Sequence, residues 1–437
     1  MKFYDREREL AILRGNEEAS KKHASFTVVV GRRRVGKTTL LNKAFEGRKC
    51  VYFFVSRDSE ALLCAKLQRE IELQLGIQIY GTITLFSQLF EFIMKFSIRE
   101  HFTLIIDEFQ ELYRINQAIF SQIQDIWDRY HNESKINLVV CGSVRSLMRR
   151  IFEFDSEPLY GRPTSRLTLR PFETKTLKQI ISEANTEYAP DDLLCLYAIT
   201  GGVPKYVELL IDSGSVTREK MLDYVCRLDS YFITEGREII SSEFQGEYGT
   251  YFSILQLIAA GKTRRAEIDG AIGKDMGVHL ANLEKNYEMV TRLTPILAKP
   301  GTKTAAYEIS DAFLRFWFRF IYPCQSLVER QKMDIMRKFI EENYNTFTGR
   351  TLERFFQDKI METGKYTRIG NWWNRRGENE IDLVALNEFD YTGLIAEVKR
   401  NPAKINLSEL KAKAAKLPPE EFGKYSFSFL NLSLNDV

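Results

Sequence analysis

Gly31-Arg32-Arg33-Arg34-Val35-Gly36-Lys37-Thr38 is the stretch whose reading decides the fold. An apolar β-branched run, Phe26-Thr27-Val28-Val29-Val30, leads into it, and a helix-like run, Thr38-Thr39-Leu40-Leu41-Asn42-Lys43-Ala44-Phe45, leads out. The order is strand, glycine-bounded loop, helix, and the spacing is G-x-x-x-x-G-K-T, that of a nucleotide phosphate cradle. The two glycines allow a tight loop whose N–H groups point inward at phosphate oxygens. The helix that follows adds its free N-terminal N–H groups and the positive end of its dipole. Lys37 is then expected to reach the β- and γ-phosphates, and the Thr38 hydroxyl to ligate Mg²⁺. A chance glycine turn is the alternative; the strand before and the helix after argue against it.

Further apolar runs fall where a parallel sheet would need them. Cys50 to Val55 reads as a second strand, and residues 59–75 and 84–99 read as helices. Phe102-Thr103-Leu104-Ile105-Ile106 runs directly into Asp107-Glu108, a buried strand ending in two carboxylates. Behind a phosphate loop, Asp107 is expected on the Mg²⁺ side and Glu108 as the group that polarises the attacking water. Ile136 to Cys141 forms another strand and ends at Gly142-Ser143-Val144-Arg145, where Ser143 is the better candidate for sensing the nucleotide and Arg145 the weaker. Strands alternating with helices predict a parallel sheet covered on both faces, with its ligand at the strands' C-terminal edge. The charged helix over residues 5–21 is suited to packing beside the base. Arg162 and Arg166, in the connector after the sheet, are candidates for a γ-phosphate contact, against the simpler reading of solvated arginines.

Bulk composition bounds the rest. The 437 residues suggest two to four domains, and the net charge of +3 makes any basic surface a local matter. Six cysteines at irregular spacing, with no C-x-x-C pair, argue against a zinc site or a disulfide framework. The first residues lack a signal-peptide pattern, and no run approaches the roughly eighteen apolar residues of a membrane span. A soluble, cytoplasmic protein is expected.

The second half changes character. Residues 173–240 read as mostly helical, broken at Thr200-Gly201-Gly202-Val203-Pro204. Residues 250–310 read as three helices and two short strands around Leu293 and Tyr307, a winged-helix pattern. The third helix offers only His279, Asn282 and Lys285 for DNA, so a packing role is favoured over base reading. The dense aromatics of Phe313 to Phe320 predict a core joining domains. Beyond about residue 341, a helix carries Glu353, one strand carries Asp382, and the next carries Glu397 and Lys399 on one face. Asp382 and Glu397 on neighbouring strands suit Mg²⁺, and Lys399 suits a water or an attacked phosphate. Glu353 would complete a site for phosphodiester hydrolysis. Trp372-Trp373 and Arg375-Arg376 just before the Asp382 strand suit either a nucleic-acid clamp or ordinary core and solvated positions.

These motifs together resemble the prokaryotic archaeal ATPase family of AAA+/STAND-like P-loop ATPases with a C-terminal nuclease-like domain of the PD-(D/E)XK type, the DUF234 domain. The resemblance rests on Asp5-Arg6-Glu7-x-Glu9-Leu10, the loop at 31–38, Asp107-Glu108-Phe109-Gln110, Gly142-Ser143, Gly201-Gly202-Val203-Pro204, the Ile309 to Trp317 segment, and Glu353, Asp382 and Glu397-x-Lys399. It implies an α/β architecture: a P-loop parallel sheet over residues 1–165, a helical lid over 166–245, a winged helix and connecting helix over 246–340, and a restriction-endonuclease-like domain over 341–437. It implies Mg·ATP bound at Gly31, Arg34, Val35, Gly36, Lys37, Thr38 and Thr39, with Gly202 and Pro204 on the base side. It implies Asp382, Glu397 and Lys399 as a nuclease site, with Ile381 where the motif has proline. The expected activity is an ATP-driven switch coupled to a DNA nuclease, with nucleotide-dependent self-association open. The alternatives are an ATPase whose C-terminal domain only binds nucleic acid or protein, and a ring that remodels DNA.

Overall fold

The computed structural model describes residues 1–244, 248–299, 301–302, 304–374 and 378–437. Its contacts divide the chain into two compact units, Lys2–Arg170 and Pro171–Val437, the latter joined by Met1.

In the first unit, the β-branched runs form five parallel strands: β1 (Ser25–Val30), β2 (Cys50–Phe54), β3 (Phe102–Asp107), β4 (Ile136–Gly142) and β5 (Ser165–Thr168). Their order is β2-β3-β4-β1-β5. Central strands of a covered parallel sheet are buried on both faces, and β3 and β4 are buried at every residue. The strand period of two then sorts the core into layers. Phe26, Val28, Leu104, Ile106, Leu138 and Val140 belong to one apolar cluster with residues of the helices Glu60–Leu75, Phe86–Arg99 and Ala118–Tyr130. Val29, Ile105, Val139 and Cys141 belong to the other, with Leu13 of Glu7–Ser20 and Leu40 and Leu41 of Lys37–Ala44. β4 stands between β1 and β3, so the residue after β4 lies between the phosphate loop and the acidic pair.

The second unit begins with the helices Thr174–Ala184, Pro190–Thr200, Pro204–Asp212, Arg218–Val225 and Tyr231–Glu243. The expected stop and restart is real. Gly201 and Gly202 both take positive φ, and Pro204 opens the next helix, where a missing N–H costs nothing. A Cβ on Gly202 would stand 2.4 Å from the Phe172 carbonyl oxygen, so only glycine fits. Three helices follow, Tyr248–Ala259, Arg265–Ile272 and Gly277–Lys285, and then the antiparallel pair β6 (Val290–Leu293) and β7 (Ala306–Ile309). Pro300 and Lys303 of the expected turn between these strands lie outside the described residues. On the third helix, Asn282 donates to the Tyr251 hydroxyl at 3.1 Å, and His279 packs against the same ring. Two of the three side chains considered for DNA are therefore turned to the packing.

The aromatic segment is core, as its density predicts: Phe313, Phe316, Trp317, Phe318 and Phe320 are buried, the last residues of the segment within a π-helical turn, Trp317–Ile321. A single helix, Met333–Met361, then runs unbroken through residue 341. It packs against a mixed sheet of β8 (Arg368–Trp373), β9 (Glu380–Asn387), β10 (Thr392–Lys399) and β11 (Ser426–Ser433), ordered β11-β10-β9-β8. β9 and β10 form the expected antiparallel hairpin, and β11 returns parallel to β10. Ile381 and Trp372 are buried in this sheet's core. Arg375 and Arg376 lie outside the described residues.

The same long helix is bound to the first helices of its unit. The Glu362 carboxylate just past its end accepts from the Thr174 N–H at 2.7 Å and the Thr174 hydroxyl at 2.6 Å, capping Thr174–Ala184. Tyr197 donates to Asp358 at 2.5 Å. Arg400, next to Lys399, donates to Asp191 at 2.9 Å and to the Thr348 hydroxyl at 2.7 Å.

Candidate functional site

The loop after β1 has the geometry its glycines require. A Cβ on Gly31 would meet the Leu169 carbonyl oxygen and a Val35 methyl at 2.9 Å, and Gly36 sits at φ +89° as it enters the helix. Arg34 is also left-handed, at φ +71°, and Val35 is buried in the core beneath. Lys37 is almost wholly buried, its ammonium donating to the carbonyls of Gly31 at 2.9 Å and Arg32 at 3.1 Å. Thr38 and Thr39 are exposed on the first turn of the helix.

Opposite the loop, the buried Asp107 carboxylate accepts four hydrogen bonds. Oδ1 takes the Glu108 N–H and the Cys141 thiol, both at 2.9 Å. Oδ2 takes the Thr38 hydroxyl at 3.0 Å and the Tyr52 phenol at 2.6 Å. Burial, then this hydrogen bond, push the Tyr52 hydroxyl above its ordinary range, so it stays a donor. Glu108 is left-handed at φ +56°, a position that strains a residue with a side chain. Its carboxylate is held by the Ser143 hydroxyl, 2.9 and 2.8 Å from the two oxygens, and by the Gln110 amide. Ser143 thus lies beside the acid at the end of the inserted strand. Gln110 and Tyr52 were not singled out from sequence. Gln110 was visible only as part of a motif, and Tyr52 depends on which strands become neighbours. Arg162 pairs with Asp128 at 3.0 Å, and Arg166 donates to the Phe152 carbonyl, so both are engaged within their own unit. Gly202 and Pro204 belong to the second unit, and their part at the base rests on the resemblance.

The second constellation assembles at the β9–β10 hairpin. Asp382 Oδ2 accepts from the Val398 N–H at 2.9 Å and from the Lys399 ammonium at 2.7 Å. Lys399 Nζ lies 3.8 Å from the buried Glu397, whose carboxylate also receives Lys413 at 3.3 Å and the Asn406 N–H at 3.4 Å. Burial works against the charge of Lys399, but Asp382 and Glu397 outweigh it and hold the ammonium above its usual range. Glu353 comes in from the long helix, accepting from Asn371 at 3.4 Å, while Asn371 also donates to the Asp382 carbonyl at 2.7 Å. Burial first, then the charge of Asp382, push the Glu353 carboxyl up to about 8.

That shift has a measurable sign. Between pH 4.5 and about 8 the folded protein keeps a proton that the unfolded chain has released, so stability falls as pH rises through this window. In chelator-treated protein, Glu353→Gln is expected to flatten the decline of the urea midpoint between pH 5 and 8; an unchanged slope would reject a protonated Glu353.

Among the described residues, no three His, Cys, Asp or Glu side chains gather closely enough to hold a metal by themselves. Mg²⁺ keeps several waters and needs only one or two carboxylates plus phosphate, so this does not disqualify either place. The donors fit: at the loop, a hydroxyl that gives its proton to Asp107 keeps its lone pairs for a cation. At the hairpin, both donors to Asp382 fall on Oδ2, and Oδ1 accepts none among the described residues.

The parallel sheet, its phosphate loop and the acidic pair across the inserted strand define a P-loop ATPase. Residues 3–210 match the model of an ATPase domain predominantly from Archaea, and residues 317–414 match that of archaeal and bacterial proteins of unknown function, DUF234. An uncharacterized protein of Methanocaldococcus jannaschii is 32% identical over 412 residues, which cover 91% of this chain and 87% of that one. The chain belongs to this family of archaeal ATPases. A Walker-type ATPase of Pyrococcus abyssi shares the fold, with a TM-score of 0.53 at 19% identity over 72% of this chain and 96% of its own. The ORC2 protein of Aeropyrum pernix, solved in ADPNP and ADP complexes, gives a TM-score of 0.48 at 16% identity, over 76% and 96% of the two chains. Among the described residues, no helix is long and apolar enough to cross a membrane.

Proposed function

We propose that this ATPase is a nucleotide-driven switch coupled to a metal-dependent DNA nuclease in its C-terminal sheet. Lys37 holds the β- and γ-phosphates, Thr38 serves the nucleotide's Mg²⁺ with Asp107 behind it, and Glu108 orients the attacking water under the hand of Ser143. Mg²⁺ supplies charge neutralisation on the phosphates. In the second unit, Asp382 and Glu397 would hold a divalent cation that polarises the scissile phosphate. Lys399 stabilises the negative charge that develops there, and Glu353 backs the pair from the long helix.

The observation that carries the nuclease reading is the convergence of Glu353, Asp382, Glu397 and Lys399 from one helix and two strands, with Lys399 bonded to Asp382 at 2.7 Å. One arrangement favours a second reading, a domain that binds nucleic acid without cutting it: Glu397 is already paired with Lys413, and Asp382 with Lys399. The purified protein, incubated with single- and double-stranded DNA and RNA, with Mg²⁺ or Mn²⁺ and with or without ATP, decides between them. Cleavage lost in Asp382→Ala and altered in Lys37→Ala is the expected result. Intact ATP turnover with nucleic-acid binding and no cleavage in parent or Lys399→Ala would select the second reading.

A further inference from the structure

We propose that Tyr52 is a positioning residue for ATP hydrolysis: from edge strand β2 its phenol fixes the Asp107 carboxylate, which then serves the nucleotide's divalent cation through the Thr38 hydroxyl rather than by ligating it. The inference rests on reading Gly31–Thr39 as a Mg·ATP loop. It starts from a count of lone pairs. A carboxylate offers about four acceptor sites, and Asp107 has four protein donors, two on each oxygen. A cation that demands its own oxygen lone pair at about 2.0–2.1 Å must look elsewhere. Thr38 answers that demand, because its hydroxyl proton goes to Asp107, its oxygen keeps its lone pairs, and the residue is exposed on the first helical turn.

The geometry is built by register. Tyr52 pairs with Ile105 and Val139 with Ile105, so Tyr52, Asp107 and Cys141 project from β2, β3 and β4 on the same face, the one covered by the phosphate-loop helix. Tyr52 and Thr38 share Oδ2, and the phenol bond is the shorter, at 2.6 Å against 3.0 Å. Without the phenol, the carboxylate loses the donor that sets Oδ2 opposite Thr38. Cys141 clamps the other oxygen from the opposite strand. Were the phenol merely satisfying itself on a buried acceptor, its loss would not discriminate between free and metal-bound nucleotide.

Binding of a fluorescent ATP analogue across a Mg²⁺ titration separates the two roles. In Tyr52→Phe, the Mg²⁺ needed for half-maximal tightening is expected to rise about tenfold or more, as for other residues that orient a ligand from behind, with metal-free affinity unchanged. Cys141→Val should move the same midpoint, while Cys141→Ser, which keeps a donor, should restore it. A Tyr52→Phe midpoint equal to the parent's overturns the proposal, and so does an equal loss of affinity with and without metal. If the parent itself shows no Mg²⁺ dependence, the underlying reading of the loop fails and this inference falls with it; a Mg²⁺-dependent parent with an indifferent variant rejects the inference alone.

Discussion

Glu108→Gln is expected to lower ATP turnover by about 10²–10⁴-fold while nucleotide binding stays within a few-fold of the parent, the usual size of a lost general base. The substitution keeps shape and removes charge. Its neighbours tolerate that: Ser143 can still donate to the amide oxygen, and glutamine has the same unbranched Cβ as glutamate at the left-handed φ of +56°. What is lost is the negative charge that, in the proposed mechanism, orients and polarises the attacking water. Turnover by a coupled assay and affinity by analogue fluorescence check the two halves of the expectation. Turnover within a few-fold of the parent would move the base to another residue.

The second large effect is on stability. Trp317→Ala should destabilise the second unit by about 3–5 kcal/mol, the range for deleting a large aromatic from a packed core. Trp317 is fully buried, and its indole N–H donates to the Ile233 carbonyl at 3.0 Å. Its ring meets Phe318 and Tyr322, with centroids 5.0 and 5.5 Å away, and occupies the space beside Gly236. A Cβ on Gly236 would come within 2.2 Å of that ring, so the helix is notched for it. Removing the indole leaves a cavity and takes away the second donor on a helix carbonyl. Urea unfolding followed by far-UV circular dichroism reads the effect; an unmoved midpoint would mean that this aromatic cluster does not hold the unit.

The parts of this architecture legible in the sequence are those whose chemistry is local. The phosphate loop is eight consecutive residues, and Asp107-Glu108 announces itself by breaking an apolar run. The β9–β10 hairpin was readable because a short turn fixes register, and register brought Asp382 to Lys399. Tyr52 and Cys141 were hidden for the opposite reason. Each sits in an unremarkable apolar strand, and each touches Asp107 only because β2 and β4 flank β3, an order that no single segment encodes. The packing role favoured for the third helix fits Asn282, which donates to Tyr251, but that partner is set by helix packing and carries no local signal. Lys413 and Asn371, which hold Glu397 and Glu353, carry no spacing signal toward those acids.

The helix Met333–Met361 bears on how this chain can be taken apart or inherited. Its early turns bury Met336 and Ile340, its later turns carry Glu353, and the residue just past its end caps a helix that begins at Thr174. A cut at residue 341 would sever the rod, expose its apolar stub and strip the sheet of the partners that Arg400 and Glu362 find near the start of the unit. The smallest piece that recombination could pass intact to another ATPase is therefore the whole stretch from Pro171 onward, so the helices from Thr174 and the β8–β11 sheet should travel between lineages as one cassette.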